Sequence, residues 1–285
     1  MSIENVHQWL RDADAVLIGA GSGLSAEAGF DFGDPISFAR NYPAMLQYGF
    51  RCKAELIGCG RLPPELEWGY YLAHVREVRF CDPPQPVYQR LREVVGDQDH
   101  FVLTTNADGL FEKNGFDPLR IATPQGDYAR WQCLRPCTTE TWPTRDLLDR
   151  YLPKIDPLTQ RLPRGDHPRC PRCGGPAFLN VRGGDWFVEA PYVEGWNRYR
   201  DWLARVRDRR LVVFDIGAGF NTPMWIRWPA ERLVRANPTA RLVRINLRDP
   251  EVPGDIADRS ASFASGAAVL GSLVAPARAA SGPPA

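Results

Sequence analysis

Four short apolar runs, rich in β-branched residues, mark the framework of the chain. Each run ends at Gly, Asn or Thr, and the four are Ala15–Ile18, Phe101–Leu103, Leu211–Ile216 and Leu242–Ile245. Nearly continuous apolar runs of this kind are typical of strands buried on both faces of a parallel sheet. The pattern therefore predicts four parallel strands.

Helical patterns lie between these runs. Apolar residues recur at helical spacing across 87–95 and across 199–206, so each segment is expected to bury one face of a helix. Thr222 and Pro223 are typical of an N-cap followed by proline in the first helical position, which predicts a helix directly after 217–221. Strand, glycine-rich turn and helix in this order indicate a doubly wound α/β fold, whose ligands bind beyond the carboxyl ends of the strands.

Two stretches depart from that order. Residues 34–84 are helical in pattern and rich in aromatics, whereas residues 130–185 contain two cysteine pairs and show little periodicity. We interpret both as insertions that form a smaller, discontinuous lobe. The main α/β domain then consists of the segments 1–33, 85–129 and 186–275. Residues 276–285 cannot bury enough apolar surface to order themselves, so a flexible tail is expected there.

The charge of the chain is nearly balanced, with 35 Lys and Arg against 34 Asp and Glu among 285 residues. This balance argues against nucleic acid or an anionic membrane as the main binding partner. No apolar run approaches the ~18–20 residues of a membrane span. The first residues also lack the basic and apolar regions of a signal peptide. A cytoplasmic location is therefore expected.

Four of the seven cysteines form two close pairs, Cys133 with Cys137 and Cys170 with Cys173. Four thiolates complete the tetrahedral shell of Zn²⁺ and leave no open position for chemistry. An odd total with two close pairs favours metal binding in a reducing compartment over a disulfide framework. We predict a structural zinc site, with unlinked buried thiols as the alternative.

The first strand is followed by a glycine-rich turn that contains Gly19, Ala20, Gly21 and Ser25. Glycines at a strand-to-helix turn allow the backbone to approach a pyrophosphate, and the start of the helix supplies N–H donors. Leu24 stands where the usual dinucleotide fingerprint has its third glycine. We interpret the turn as a phosphate loop, with a tight turn that binds no ligand as the alternative.

Five blocks of sequence, in order, resemble the sirtuin family. The glycine-rich turn with Phe30-Asp31-Phe32 resembles the sirtuin opening, and Thr104–Gly115 resembles the family's Thr-Gln-Asn-Ile-Asp-Gly-Leu-His segment. The two cysteine pairs stand where sirtuins hold zinc. Gly217–Asn221 replaces the family's Gly-Thr-Ser, and Ile245-Asn246 matches its Ile-Asn. The resemblance spans residues 15–246.

The resemblance implies a Rossmann-like NAD-binding domain with a smaller helical and zinc-binding lobe, with NAD as co-substrate. It implies that Asn106 and Asp108 hold the ribose, an ordered water and the nicotinamide carboxamide. From the residues alone, Asn106 stays open as a turn former and Asp108 as a cap before Leu110. The NAD-binding positions implied in this way are Gly19, Ala20, Gly21, Ser25, Phe32, Asn106, Asp108, Gly217, Gly219, Asn221 and Asn246.

The departures from the family pattern bear on the reaction. Gln125 replaces the catalytic His of sirtuin deacylases, and Val181–Glu189 replaces the loop that clamps their acyl-peptide. An amide has no usable proton affinity, so deacylation by the usual route is expected to be severely impaired. A Gln at this position resembles the macrodomain-linked class M sirtuins of microbes, which implies a protein ADP-ribosyltransferase. The implied partners are an acceptor protein, for which a lipoyl-carrier protein is a candidate, and a macrodomain hydrolase.

Arg182 is a further catalytic candidate beside Asn106, Asp108 and Gln125. Its planar, permanently charged guanidinium suits an acidic acceptor or a phosphate, while a solvated surface arginine is an equal alternative. The function also has alternatives: a residual deacylase, an NAD glycohydrolase, in which water replaces the acceptor, and a catalytically silent NAD-binding sensor.

Overall fold

A computed structural model describes residues 2–82 and 84–274 of the chain. The tail expected at 276–285 lies outside the described residues. The strands in the described part are β1 Ala15–Ala20, β2 His100–Thr104, β3 Ile121–Ala122, β4 Gly126–Cys133, β5 Trp142–Pro143, β6 Ala177–Val181, β7 Leu211–Ile216, β8 Arg241–Ile245 and β9 Ser260–Phe263. The α-helices in the same part are α1 Ile3–Asp12, α2 Ser22–Glu27, α3 Pro35–Asn41, α4 Pro43–Leu46, α5 Pro64–Val78, α6 Pro86–Val95, α7 Leu110–Lys113, α8 Thr144–Tyr151, α9 Val193–Val206, α10 Arg227–Ala236 and α11 Leu270–Leu273.

Six of the strands form one sheet with the order β3-β2-β1-β7-β8-β9. The pairs β1 with β7, β7 with β8, and β8 with β9 are parallel. Every residue of β1 and β7 is buried, as expected for strands covered on both faces. The four strands expected from the apolar runs and the α/β fold class are thus confirmed.

Two of the three helix predictions are confirmed by α6 and α9. The third is wrong, because α10 begins at Arg227 and not at Pro223. Residues 222–226 form turns, in which the amide of Trp225 donates to the carbonyl of Thr222 at 3.2 Å. Ile226 is buried, has a non-helical φ of −125° and packs beside Gly19, so tertiary packing overrides the local capping signal. Within the described residues, no helix combines the length and the apolar character that crossing a membrane requires.

The chain divides into two compact units. Unit 1 comprises Met1–Ala28, Gln85–Val102 and Trp202–Ala285, and unit 2 comprises Gly29–Pro84 and Leu103–Asp201. The division of the chain into an NAD-binding domain and a small lobe at the boundaries given above stays a prediction.

Unit 2 contains a second, three-stranded sheet with the order β5-β4-β6. The strands of this sheet are antiparallel, and the pairing of β4 with β6 shifts register between Gly126 and Trp131. Its strands were not apparent from the weak periodicity of 130–185, since two are very short or irregular. The segment 34–84 is helical as expected, and its aromatic residues pack into one core with residues of the sheet, among them Tyr42, Tyr70, Tyr71, Trp131 and Phe178.

Candidate functional site

In unit 1, the glycine-rich turn after β1 lies against the turn after β7. A Cβ atom added to Gly21 would lie 2.7 Å from the carbonyl oxygen of Gly217, and one added to Gly23 would lie 2.6 Å from the Cα of Gly217. Gly217 itself has a φ of +63°, which favours glycine. These glycines are therefore required by the close approach of two backbone segments.

Several backbone amides of the glycine-rich turn after β1 already donate hydrogen bonds within the protein. Gly21 donates to the carbonyl of Ile216 at 2.9 Å, Gly23 to that of Gly217 at 3.1 Å, and Leu24 to that of Gly21 at 3.1 Å. These three N–H groups are not free donors for a phosphate, in contrast to the simplest expectation for a helix start. Ser25 is buried in the same turn. The phosphate-binding role of the loop stays a prediction.

Asn246 joins the turn after β7 to the segment after β8. Its Nδ2 donates to the carbonyl of Ala218 at 3.0 Å, and its Oδ1 accepts from the amides of Arg248 and Asp249, each at 3.0 Å. Among the described residues other than its chain neighbours, a Cβ atom on Gly219 would meet only Oδ2 of Asp249, at 3.8 Å, within a radius of 4 Å. The turn therefore presents open backbone at Gly219, and Asn221 beyond it is exposed.

In unit 2, the two predicted polar residues that follow β2 line one cavity of about 130 Å³. Asn106 and Asp108 are both buried, with 8 % and 2 % of their surface exposed. The cavity is lined by Thr104, Asn106, Asp108, Gly109, Leu110, Phe111, Glu112, Pro118, Ile121, Thr123 and Asp127. The structure thus brings Asn106 and Asp108 together at a polar recess.

Both residues also have local partners. The amide of Asn106 donates to Oγ1 of Thr104 at 3.1 Å, and Oδ1 of Asp108 accepts the amide hydrogen of Leu110 at 3.0 Å. The second bond is the capping interaction left open by the sequence, because α7 begins at Leu110. One oxygen of Asp108 is therefore occupied by a structural role. The ligand-binding roles of Asn106 and Asp108 stay predictions.

Arg79 is a charged residue beside this cavity that the sequence analysis missed. Its Nε and Nη2 donate to the two carboxylate oxygens of Asp127 at 2.7 and 3.2 Å, and Nη2 lies 3.6 Å from Oε2 of Glu112. Burial by itself lowers the pKa of Arg79, but the ion pair with Asp127 outweighs it and raises the pKa. No local motif indicates this pair, since 48 positions separate the two residues.

Gln125 and Arg182 lie side by side in unit 2. The amide of Arg182 donates to the carbonyl of Gln125 at 2.9 Å, and its Nε donates to the carbonyl of Pro124 at 3.1 Å. The guanidinium also contacts Glu189 at 3.1 Å and lies 4.4 Å from the ring centroid of Phe187. The antiparallel pairing of β4 with β6 produces this arrangement, because Gly126 is opposite Val181. Their catalytic roles stay predictions.

Phe32 is partly buried and packs edge-on against His74, with ring centroids 5.3 Å apart. His74 is fully buried, and neither of its ring nitrogens has a hydrogen-bond partner among the described residues. Burial, with a smaller effect from the charge of Lys53, lowers the pKa of His74 to about 3. His74 is therefore a neutral core residue at neutral pH and not a substitute for the missing catalytic base.

Acidification is expected to destabilise the protein through His74. Between pH ~6.5, where a free imidazole titrates, and about 3, the unfolded chain binds a proton that the folded chain excludes. The free energy of unfolding should therefore fall by up to about 1.4 kcal/mol for each pH unit in this window. Urea unfolding at several pH values would show a shallower decline in His74→Phe, and an equal decline in both proteins would contradict the prediction.

The four paired cysteines converge in unit 2. Their Sγ atoms all lie within 4.8 Å of one another, with Cys133 and Cys173 3.7 Å apart and Cys137 and Cys170 3.6 Å apart. Tetrahedral zinc with Zn–S bonds of ~2.3 Å places its sulfurs roughly 3.8 Å apart, so the cluster fits this ion. Desolvation opposes ionisation of Cys170, but backbone amides of Cys173 and Arg172 outweigh it and lower its pKa to about 7.

No family model matches the sequence. Similar proteins occur in fungi and bacteria. A "Probable bifunctional ADP-ribose hydrolase/ADP-ribosyltransferase" of Fusarium oxysporum f. sp. cubense is 38% identical over 254 residues, and the chain spans only 42% of its length. A "Protein ADP-ribosyltransferase" of Staphylococcus aureus is 29% identical, over 87% of this chain and 79% of that protein. An "NAD-dependent protein deacylase" of Methylococcus capsulatus is 28% identical, over 86% of each.

Solved structures agree on the fold. A complex of a Sir2 homolog with NAD has a TM-score of 0.63 at 18% identity and covers 95% of this chain and 92% of that one. Sir2Tm bound to a propionylated peptide has a TM-score of 0.58 at 15% identity and covers 96% of each. The chain therefore has the Sir2 fold, a parallel α/β sheet with an added four-cysteine lobe.

Proposed function

We propose that the protein is an NAD-dependent protein ADP-ribosyltransferase of the sirtuin type, which releases nicotinamide. The observation that carries this proposal is the pair of Gln125, which stands where sirtuin deacylases have a catalytic His, and Arg182, whose backbone amide donates to the carbonyl of Gln125. This pair supplies hydrogen bonds and a positive charge but no general base. The names of the Fusarium and Staphylococcus relatives support transfer of ADP-ribose over deacylation.

NAD supplies an ADP-ribosyl group when its nicotinamide–ribose bond breaks. The residues of unit 2 are assigned to that end of the molecule: the amide of Asn106 orients the ribose, and the carboxylate of Asp108 accepts a hydrogen bond from the carboxamide. Asn106 and Asp108 are buried, and a buried polar group makes stronger and better directed hydrogen bonds than an exposed one. Arg182 is assigned to the acceptor, whose approach it orients through its fixed guanidinium.

The adenosine half and the pyrophosphate are assigned to the turns of unit 1. Gly19, Ala20, Gly21 and Ser25 are assigned to the pyrophosphate, and the turn at Gly217–Asn221 is assigned to the adenosine. The open surface at Gly219 supports this assignment. Asn246 holds the second turn through its bond to Ala218.

A valine at Gly219 is expected to weaken NAD binding without disturbing the fold. Its Cβ has space within the protein, so the side chain fills only the surface assigned to the ligand. Calorimetry should show at least about tenfold weaker NAD binding, and the melting temperature should change by no more than about 2 °C.

Gly21→Val is the matched control. At this position the new Cβ would meet the backbone of Gly217, so the loop must move and the melting temperature should fall by about 5 °C or more. Binding of NAD by Gly219→Val with wild-type affinity would contradict the assignment of this turn.

The finer assignments belong to the same proposal. The Gln in place of His supports membership of class M, and the four-cysteine cluster supports one structural zinc ion. A lipoyl-carrier protein is the proposed acceptor. A macrodomain hydrolase is the proposed partner that removes the modification, and the bifunctional name of the Fusarium relative supports such a pairing.

Incubation of the protein with NAD labelled in the adenylate, together with a lipoyl-carrier protein, tests the proposal. Label on the carrier protein is expected, and its absence in Asn106→Ala would assign the transfer to this site. Free ADP-ribose without labelled protein would instead indicate an NAD glycohydrolase. Release of acyl groups from an acylated peptide would favour the deacylase alternative, which the name of the Methylococcus relative supports.

A further inference from the structure

A cluster of buried charges lies within unit 1 beneath the turns assigned to adenosine. The side chain of Arg244 on β8 is fully buried, and its Nε donates to Oδ2 of Asp215 at 2.9 Å. Its Nη2 donates to Oε1 of Glu231 on α10, also at 2.9 Å. Asp215 is two residues before Gly217, so the cluster is anchored directly under the turn after β7.

Arg227, at the start of α10, extends this cluster to the segment after β8. Only 3 % of Arg227 is exposed, and its Nη1 and Nη2 donate to the carbonyls of Asp249 at 2.8 Å and Glu251 at 2.9 Å. Arg244 donates to the same carbonyl of Glu251. Two guanidinium groups therefore hold the backbone of 249–251, a segment that begins three positions after Asn246.

The same guanidinium of Arg227 also covers one face of an aromatic ring. Its central carbon lies 4.4 Å from the ring centroid of Phe220, a residue of the turn after β7. Phe220 is nevertheless 58 % exposed, and Leu247 on the neighbouring segment is 68 % exposed. An exposed Phe ring that is fixed on one side by a cation presents a preformed apolar surface on the other.

We propose that the nucleobase stacks on the ring of Phe220, the stacking platform. Arg227 is the positioning residue, because it fixes Phe220 and the segment 249–251 relative to each other. The inference rests on the proposed binding of the adenosine half of NAD at these turns. Flat π-systems stack on aromatic side chains irrespective of base identity, and a platform held before binding reduces the entropy lost on binding.

A purely stabilising role for the cluster is the weaker explanation. Buried ion pairs roughly cancel their own desolvation cost, so well-packed apolar residues would serve stability equally well. Apolar residues could not replace the planar guanidinium of Arg227, which donates to two backbone carbonyls and also contacts one aromatic ring. The contacts of Arg227 fix the positions of the turn after β7 and the segment after β8. These positions matter for ligand binding.

Four variants separate the two roles. Phe220→Ala removes the aromatic ring, whereas Phe220→Tyr keeps an aromatic ring at this position. Arg227→Lys keeps the positive charge but lacks the planar guanidinium with its two parallel sets of N–H donors. Arg235→Gln is the matched control, since Arg235 lies on the same helix, pairs with Asp255 at 2.6 Å on the surface and approaches Glu231 of the cluster no closer than 3.9 Å.

The measurements are the calorimetric Kd for ADP-ribose, the KM and kcat for NAD, and the melting temperature. We expect Phe220→Ala and Arg227→Lys to raise the Kd and the KM about tenfold, with kcat at saturating NAD within about twofold of wild type. Phe220→Tyr and Arg235→Gln should bind as the wild type does.

Wild-type binding of ADP-ribose by Phe220→Ala would overturn the platform. A lower melting temperature or kcat in Arg227→Lys, with an unchanged Kd, would overturn its positioning role and leave a structural one. Failure of the wild-type protein itself to bind ADP-ribose would overturn the proposed function and the inference together, so the two failures are distinguishable.

Discussion

Replacement of Asn106 by Ala is expected to reduce ADP-ribose transfer about hundredfold, since a hydrogen bond made in the transition state contributes roughly 1–3 kcal/mol. Asn106 lines the cavity of unit 2 and is buried, so water does not replace its amide fully. The loss should appear in kcat, with the melting temperature nearly unchanged. Asn197→Ala, at an exposed position of α9, is the control.

Gln125→Ala is expected to have a smaller effect on the same reaction. In the proposed mechanism, Gln125 orients the ribose or the acceptor without removing a proton, so its loss should reduce transfer by about five- to tenfold. The pH profile of transfer should show no group titrating near ~6.5 that depends on this residue. Gln125→His should restore little deacylation, because the acyl-clamping loop is also replaced at Val181–Glu189. A Gln125→Ala protein as fast as the wild type would show that Gln125 takes no part.

Removal of the metal is expected to cause the largest loss of stability. The four thiolates of the cysteine cluster tie the end of β4 to the loop before β6, and without an ion they repel one another or protonate. Chelation or Cys170→Ala should lower the free energy of unfolding by at least about 3 kcal/mol, or roughly 6–12 °C in melting temperature. Elemental analysis should give one zinc per chain.

Cys52→Ala is the matched control for the zinc site, because Cys52 is a partly buried thiol outside the cluster. It should leave both the zinc content and the melting temperature close to wild type. A protein that contains no zinc and melts unchanged after Cys170→Ala would contradict a structural metal site.

The parts of the fold that are encoded locally were predictable. β7 begins and ends at the residues where its apolar run does, and β1 extends two residues beyond its run into the glycine-rich turn. The cysteine spacing likewise indicated four ligands that converge to within 4.8 Å. A strand buried on both faces requires apolar residues at successive positions, and metal ligation requires cysteines at close spacing. Both signals lie within short segments, so they are visible without knowledge of the rest of the chain.

Other features were wrong or absent in the sequence interpretation for a common reason. The start of α10 depends on Ile226 packing beside Gly19, about two hundred positions earlier in the chain. The glycines of the glycine-rich turn were assigned to ligand approach, which stays a prediction, and the structure adds that Cβ atoms at Gly21 and Gly23 would already meet the backbone of Gly217. A local motif reports that glycine is required but not which neighbour requires it.

By itself, the sequence determined the four buried strands, the four clustered cysteines and the polar positions after the strands, because strand burial and cysteine spacing are local properties. Only the tertiary structure decided what these arginine side chains contact: Arg79 the carboxylate of Asp127, Arg182 the carbonyl of Pro124, and Arg227 the ring of Phe220 and the carbonyls of Asp249 and Glu251. Each of the first two pairs is 48 or more positions apart. The direction of a long charged side chain depends on the packing of all elements around it, which no short window of sequence contains.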